Sequence, residues 1–207
     1  MGDPQSATVA AYEEYAAAYR LGSASMPEDV AELVRRYAAA LGAGARVLEI
    51  GSGSGRDATA LEAAGLSVRR TDVTPAFVEL LRADGHQADV VDPLSDELAD
   101  PVRPGRAYDG VWASASLLHV ARADLPVVAA RLGEATRVDG LLHAALKEGD
   151  GESWSTHGSV GAPRHFTFWR EGPLRDLLDE AGWSVDEVDR VDGLRGDSWL
   201  NVLARRR

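Results

Sequence analysis

Before Arg46 the apolar residues recur at helical intervals. Tyr12, Tyr15 and Tyr19 fall three and four apart, on one face of a helix predicted over Ala10 to Tyr19. Pro27-Glu28-Asp29 opens a second helix, which runs to about Leu41 and stops in Gly42-Ala43-Gly44. From Arg46 the texture becomes strand and helix in alternation. Short strands are predicted at Arg46–Ile50, Ser67–Thr71, Gln87–Val91, Tyr108–Ala113 and Gly140–Lys147. Between them lie helices at Arg56–Ala64, from Thr74-Pro75 to Gly85, and from Asp124 to Thr136. The hydroxyl of Thr74 is the expected cap of the middle one. The polar, Gly- and Ser-rich run from Glu148 to Pro163 reads as an exposed loop. A helix at Pro173–Ala181 precedes strands at Trp183–Val188 and Trp199–Arg205, which have no helix between them and so predict an antiparallel hairpin.

Strands that alternate with helices require a mostly parallel sheet covered on both faces. The expected architecture is therefore a doubly wound α/β fold with a seven-stranded mixed sheet. It forms one domain over 1–207, with a helical extension at 1–44 and a core at 45–207. Composition narrows the function. A net charge of −11 opposes broad contact with nucleic-acid phosphates and with anionic membranes. Cysteine is absent, which removes disulfides, thiolate metal sites and a Cys nucleophile. The first twenty or so residues lack the basic start and apolar core of a secretory signal, so a cytoplasmic location is expected.

The sharpest signal is Val47-Leu48-Glu49-Ile50 running into Gly51-Ser52-Gly53-Ser54-Gly55. Glycines there allow positive φ and close approach of the backbone to a ligand. A dinucleotide fingerprint needs a sixth-position glycine, and that position is Arg56. Two further acids, Asp72 and Asp89, stand at the ends of the next two predicted strands. At the end of the second, a carboxylate can accept both hydroxyls of a ribose.

Glu49 with the glycine loop resembles the first motif of the class I methyltransferases that use S-adenosylmethionine. Tyr108 to Val120, Arg137 to Leu142, Leu146 to Glu152, Phe166 to Trp169 and Trp199 to Val202 are similar to later segments of a bacterial subgroup. The resemblance spans roughly Tyr12 to Arg205 and implies a Rossmann-like core. It implies that Gly51, Ser52 and Gly53 approach the methionine part of S-adenosyl-L-methionine, with Glu49 orienting their loop. Asp72, with Val73 beside it, then meets the ribose. Asp89 meets the adenine amino group, and Val90 offers a backbone N–H to the ring, with Asp92 the competing acid. The carbonyls of Ala113 or Ser114 face the cofactor's amino group. Tyr12 and Tyr19 either reach its carboxylate or pack on the sheet. Arg56 either pairs with that carboxylate or solvates a helix start, where the dipole gives an Arg no advantage.

Methyl transfer from a sulfonium needs alignment more than a catalytic triad. A base is required only when the acceptor must lose a proton. His119, after the fourth strand, and His165, after the loop, are the catalytic candidates. His157 and Glu152 lie in the loop itself, and Lys147, the chain's one lysine, closes strand five. Trp112, Trp154, Phe166, Phe168 and Trp169 are candidates for an aromatic acceptor pocket. His86, His143 and Asp92 have no metal-ligand spacing. The resulting expectation is methyl transfer to a small molecule, without nucleic-acid or membrane partners. The alternatives are a protein or peptide methyltransferase and a non-catalytic S-adenosylmethionine-binding protein.

Overall fold

The computed structural model describes residues 4–156, 158–193 and 196–207. Two helices, α1 (Pro4–Gly22) and α2 (Glu28–Leu41), precede the sheet. There follow β1 (Arg46–Ile50), α3 (Arg56–Ala63), β2 (Ser67–Asp72), α4 (Pro75–Ala83), β3 (Ala88–Val90), β4 (Tyr108–Ser114), α5 (Leu125–Ala135) and β5 (Thr136–Glu148). The chain closes with β6 (Glu152–Ser155), β7 (Arg164–Trp169), α6 (Glu171–Glu180), β8 (Trp183–Asp192) and β9 (Ser198–Arg206). None of the described helices is long and apolar enough to cross a membrane.

The strands run in the order β3-β2-β1-β4-β5-β7-β6, and β9 pairs with both β5 and β8. Strands β1 to β5 and β7 are parallel, while β9 is antiparallel to β5 and β8 is antiparallel to β9. The two faces of the sheet follow from alternation along each strand. Leu48 and Val111 face a core with Val128 and Leu132 of α5, Leu174 and Leu178 of α6, and Trp183. Their neighbours Val47 and Trp112 face the other way, against Val34 and Tyr37 of α2 and Leu61 of α3. This is the expected doubly wound fold, with all seven expected strands and the antiparallel C-terminal hairpin.

Three details differ from expectation. The segment read as a loop contains β6, which pairs antiparallel with β7 from Glu152↔Thr167 to Ser155↔Arg164. β6 is an edge strand with Glu152, Ser153 and Trp154 exposed, so no buried face left an alternating pattern. β7 joins β5 at Lys147 and Glu148, beyond Ala145, where the β4 pairing has ended. The hairpin therefore stands over the carboxyl end of β4. Second, the Thr74 hydroxyl does not cap α4; the Ala76 N–H in the first turn donates to the Glu13 carboxylate of α1 at 2.9 Å, and the Thr74 N–H itself to Asp72 at 2.8 Å. Third, Arg137 to Gly140 lie within β5 rather than in a separate turn. Asp139 there takes a left-handed φ of 61°, a conformation Asp tolerates better than most residues.

Candidate active site

The glycine loop is fixed from beneath by β2. The N–H groups of Gly51 and Ser52 both donate to the Thr71 carbonyl at 2.9 Å. Gly53 N–H donates to Asp72 Oδ2 at 2.8 Å, while Asp72 Oδ1 takes the Thr74 N–H. Gly51, Gly53 and Gly55 have φ of 76°, 51° and 79°, in the left-handed region that disfavours a Cβ. Burial raises the Asp72 pKa, and the two N–H donors oppose that shift. Asp72 also bonds the Thr74 side chain, is 5 % exposed, and lines neither the cavity nor the recess above the loop.

Glu49 lies beneath the same loop, 2 % exposed, with the Ser52 hydroxyl donating to its carboxyl. Burial pushes its pKa up to about 8, so the carboxyl carries a proton at neutral pH. Between the ordinary 4.5 and about 8 the folded chain holds a proton that the unfolded chain has lost. Stability therefore falls as pH rises through that window. Glu49→Gln is expected to remove this dependence, gaining melting temperature over the wild type at about pH 9 more than at about pH 5. A constant difference between the two proteins across thermal melts at those pH values would contradict the assignment.

Above the loop lies a cavity of about 620 Å³. Tyr12 and Tyr19 of α1, Arg56 at the start of α3, Ser114 at the end of β4, and His119 all line it. Tyr19, Ser23, Arg56, Ser114 and Ala115 also line a smaller recess formed by Glu49 and Gly51 to Ser54, so the two spaces adjoin. Tyr12 and Tyr19 meet edge to face at 5.4 Å, and both rings pack on Phe77 of α4. Burial pushes the Tyr19 hydroxyl up to about 12 and raises that of Tyr12. Both phenols are therefore neutral.

A chain of hydrogen bonds crosses the cavity wall. Arg164 Nη1 donates to Tyr12 Oη at 3.0 Å. Tyr12 Oη lies 2.9 Å from His119 Nε2, and His119 Nδ1 lies 2.6 Å from the His165 carbonyl. A carbonyl only accepts, so Nδ1 carries the proton and Nε2 accepts from the Tyr12 hydroxyl. Burial, reinforced by the nearby Arg164, His165 and Lys147, pushes His119 down to about 3 and keeps the ring neutral. His165 is 3 % exposed and does not line the cavity; its part in the chain is its carbonyl. Its side chain faces Glu152 at 3.5 Å and the Trp154 ring.

The other expected site residues divide. Arg56 lines the cavity, with its guanidinium on Asp57 at 2.8 Å and on the Ser25 carbonyl at 3.3 Å. Ala113 is fully buried in the core, one residue before Ser114. Val73 follows Asp72 in the turn to α4, and Val90 is the register partner of Asp72, with an exposed side chain. Asp89 is not brought to this cavity. It points to the opposite face of the sheet from Ala88 and pairs with Arg69 at 3.0 Å, because alternation along β3 turns successive side chains apart. Asp92 instead accepts the Leu94 N–H and so begins a turn. Of the aromatic candidates, Phe166 lines the cavity, whereas Trp112 is core and donates its indole N–H to Asp57 at 3.1 Å. Trp169 is buried beneath the Arg122 guanidinium, and Trp154 is half exposed. His157 lies outside the described residues.

Sequence reasoning missed Arg164, although it adjoins His165, and also Asp197 and Trp199. Lys147 pairs with Asp197 at 2.8 Å and lies over the rings of Phe166 and Trp199. These contacts link β5, β7 and the β8–β9 hairpin across long sequence separations, and no local motif announces them.

The whole chain superposes on the Burkholderia thailandensis 1,6-didemethyltoxoflavin-N1-methyltransferase, with bound 1,6-didemethyltoxoflavin and S-adenosylhomocysteine, at a TM-score of 0.72 and 22% identity, covering 91% of that chain. Magnesium protoporphyrin IX methyltransferase from Synechocystis, with bound S-adenosylmethionine, gives 0.76 at 15% identity, covering 100% of this chain and 99% of that one. The [4+2]-cyclase SpnF gives 0.66 at 18%, covering 89% and 83%. At these identities the likeness is one of fold. No curated protein sequence matches. A family model described as a methyltransferase domain matches residues 23–188, and the chain belongs to that family.

Proposed function

We propose that the protein is an S-adenosylmethionine-dependent methyltransferase acting on a small-molecule acceptor. The observation that carries this reading is a cavity and an adjoining recess that share Tyr19, Ser23, Arg56, Ser114 and Ala115. The glycine loop lines the recess, and the Arg164–Tyr12–His119 chain stands in the wall of the cavity. The residues present suit the cofactor. Gly51 and Gly53 expose bare backbone to the recess, and the Ser116 hydroxyl beside Gly51 is buried without a partner among the described residues. Glu49, Ser52 and Gly51 to Gly53 would hold the methionine end. Two of the structural neighbours are named for methylation of small heterocycles, a toxoflavin precursor and a magnesium porphyrin.

When bound, S-adenosylmethionine supplies a methyl group already activated on a sulfonium. The chain's own residues align the acceptor and manage its proton. His119 keeps its lone pair on Nε2 because the His165 carbonyl holds the proton on Nδ1. The Tyr12 hydroxyl stands between that lone pair and the cavity, so an acceptor's proton passes to Tyr12 Oη as the Tyr12 proton moves to His119 Nε2. An imidazole pushed down to about 3 is a weak base. The site therefore suits an acceptor whose proton is loosely held, such as a phenol, a carboxylic acid or a ring N–H, better than an aliphatic alcohol.

Calorimetry with S-adenosylhomocysteine tests the cofactor, and absence of binding at millimolar concentration would overturn the reading. A labelled-methyl assay on cell extract divided by size tests the acceptor, with label expected in the small-molecule fraction. Tyr12→Phe is expected to lower kcat roughly 100-fold, the usual range for loss of a proton-transfer group, while S-adenosylhomocysteine affinity stays within about threefold. An unchanged kcat would remove Tyr12 from the proton path.

A further inference from the structure

A second cavity, of about 350 Å³, lies at the other end of the sheet, where β1, β2 and β3 begin. Arg46, Arg69, Arg70 and Arg82 line it, with His86 and Asp89. Four arginines thus line one hollow of a chain whose net charge is −11, Arg69 and Arg70 from opposite faces of β2. Three are locked in place from outside the hollow or at its rim. Arg46 is held by the buried Asp100 at 2.9 and 3.1 Å. Arg69 is held by Asp89, by the carbonyls of Leu98 and Ala99, and by the Tyr108 hydroxyl. Arg70 is held by both carboxylate oxygens of Glu62, each at 2.7 Å. Side chains fixed in advance lose little rotamer freedom when a ligand binds.

The donors are not used up. Arg69 spends Nε and Nη1, and its Nη2 has no hydrogen-bond partner among the described residues. Arg82 gives Nε to the Ala88 carbonyl at 2.9 Å, and its two terminal nitrogens have no partner among the described residues. Three carboxylates, Asp100, Asp89 and Glu62, answer three of the arginines, and Arg82 has none. The cavity also follows an opening in the sheet edge. Pairing of β2 with β3 starts at Arg70↔Ala88, which leaves Ser67 to Arg69 without a neighbouring strand on that side.

We propose that this cavity is a binding site for a phosphate group, free or carried by a small molecule. Guanidinium donors that approach from β2 and from α4 meet an anion from different directions. A tetrahedral oxyanion presents oxygens in several directions, whereas a planar carboxylate presents two in one plane. The volume exceeds that of one phosphate and leaves room for an attached group. The site lies away from the glycine loop and does not depend on the cofactor reading.

The full chain would be titrated separately with inorganic phosphate, pyrophosphate and citrate, at constant ionic strength set with chloride. Calorimetry and backbone amide NMR are the readouts. Saturable phosphate binding is expected, with the amides of Arg69 and of His86 to Ala88 shifting. Tighter pyrophosphate binding would mark the extra room as used, and equal binding would mark free phosphate as the better fit. Arg82→Glu is expected to weaken phosphate roughly tenfold or more, through one lost cation and one added anion, and to leave S-adenosylhomocysteine binding unchanged. Arg82→Gln, which keeps a donor for Ala88, is expected to weaken it less. Failure to saturate at tens of millimolar would overturn the proposal. So would equal affinity in both variants, shifts confined to Gly51–Gly53, or citrate binding tighter than either phosphate.

Discussion

Gly51→Ala is expected to weaken S-adenosylhomocysteine binding on the order of 100-fold while the far-ultraviolet circular dichroism stays that of the wild type. A Cβ at this position would lie 2.4 Å from the Ser116 Cβ and 3.6 Å from its Cα. No flexible side-chain end can swing away there, because Ser116 Cβ is one bond from the backbone. That backbone is itself constrained, since Ala115 beside it holds a left-handed φ of 54°. Gly51 also has a φ of 76°, so the added methyl strains its own residue. The glycine loop and the segment after β4 must therefore separate, and both line the recess proposed for the cofactor. Gly53→Ala is the internal comparison. Its Cβ would meet only the Tyr19 ring, at an ordinary 3.5 Å, so its smaller loss reports backbone strain alone. Calorimetry that finds wild-type affinity in Gly51→Ala would sink this account of the loop.

Trp183→Ala is expected to cost about 3–5 kcal/mol of stability. Trp183 opens β8 and is fully buried among Leu174, Leu177, Leu178 and the α5 residues. Its indole N–H donates to the Ala129 carbonyl at 2.9 Å, a bond that ties the C-terminal hairpin to α5. Truncation leaves a large apolar void and an under-satisfied carbonyl together. Trp183→Phe keeps much of the volume and is expected to lose less. Denaturant unfolding of the three proteins checks the order, and a loss below about 1 kcal/mol in the alanine variant would contradict the packing described.

Local signals made most of the sheet readable. Strand β1 is a short apolar run closed by glycine, β4 is largely apolar, and β2 was readable from its place between two helices that carry the expected start and stop residues. The glycine loop was readable because its chemistry is contiguous in the chain. Asp89 was misleading for a physical reason. Strand-end position can be read from sequence, but the face of a three-residue strand cannot, and here that face turns the acid towards Arg69. Thr74 looked like a cap, but the Glu13 carboxylate of the distant α1 takes the first-turn Ala76 N–H. The β6–β7 hairpin hid behind glycines because its outer strand buries nothing. Arg164, Asp197 and Trp199 joined the site only through pairing between distant strands.

Helix α1 touches the site at three places along one stripe. Thr8 accepts the His165 N–H at 3.0 Å, Tyr12 meets His119, and Tyr19 covers Gly53. These positions are four and seven residues apart, close to whole turns, so they move as points on one rod. A helix that slides by one residue along its axis would misplace all three contacts together. The wall residue of the hydrogen-bonded chain and the ring over the glycines are thus carried by one rigid element, so neither can be displaced along the helix axis without the other.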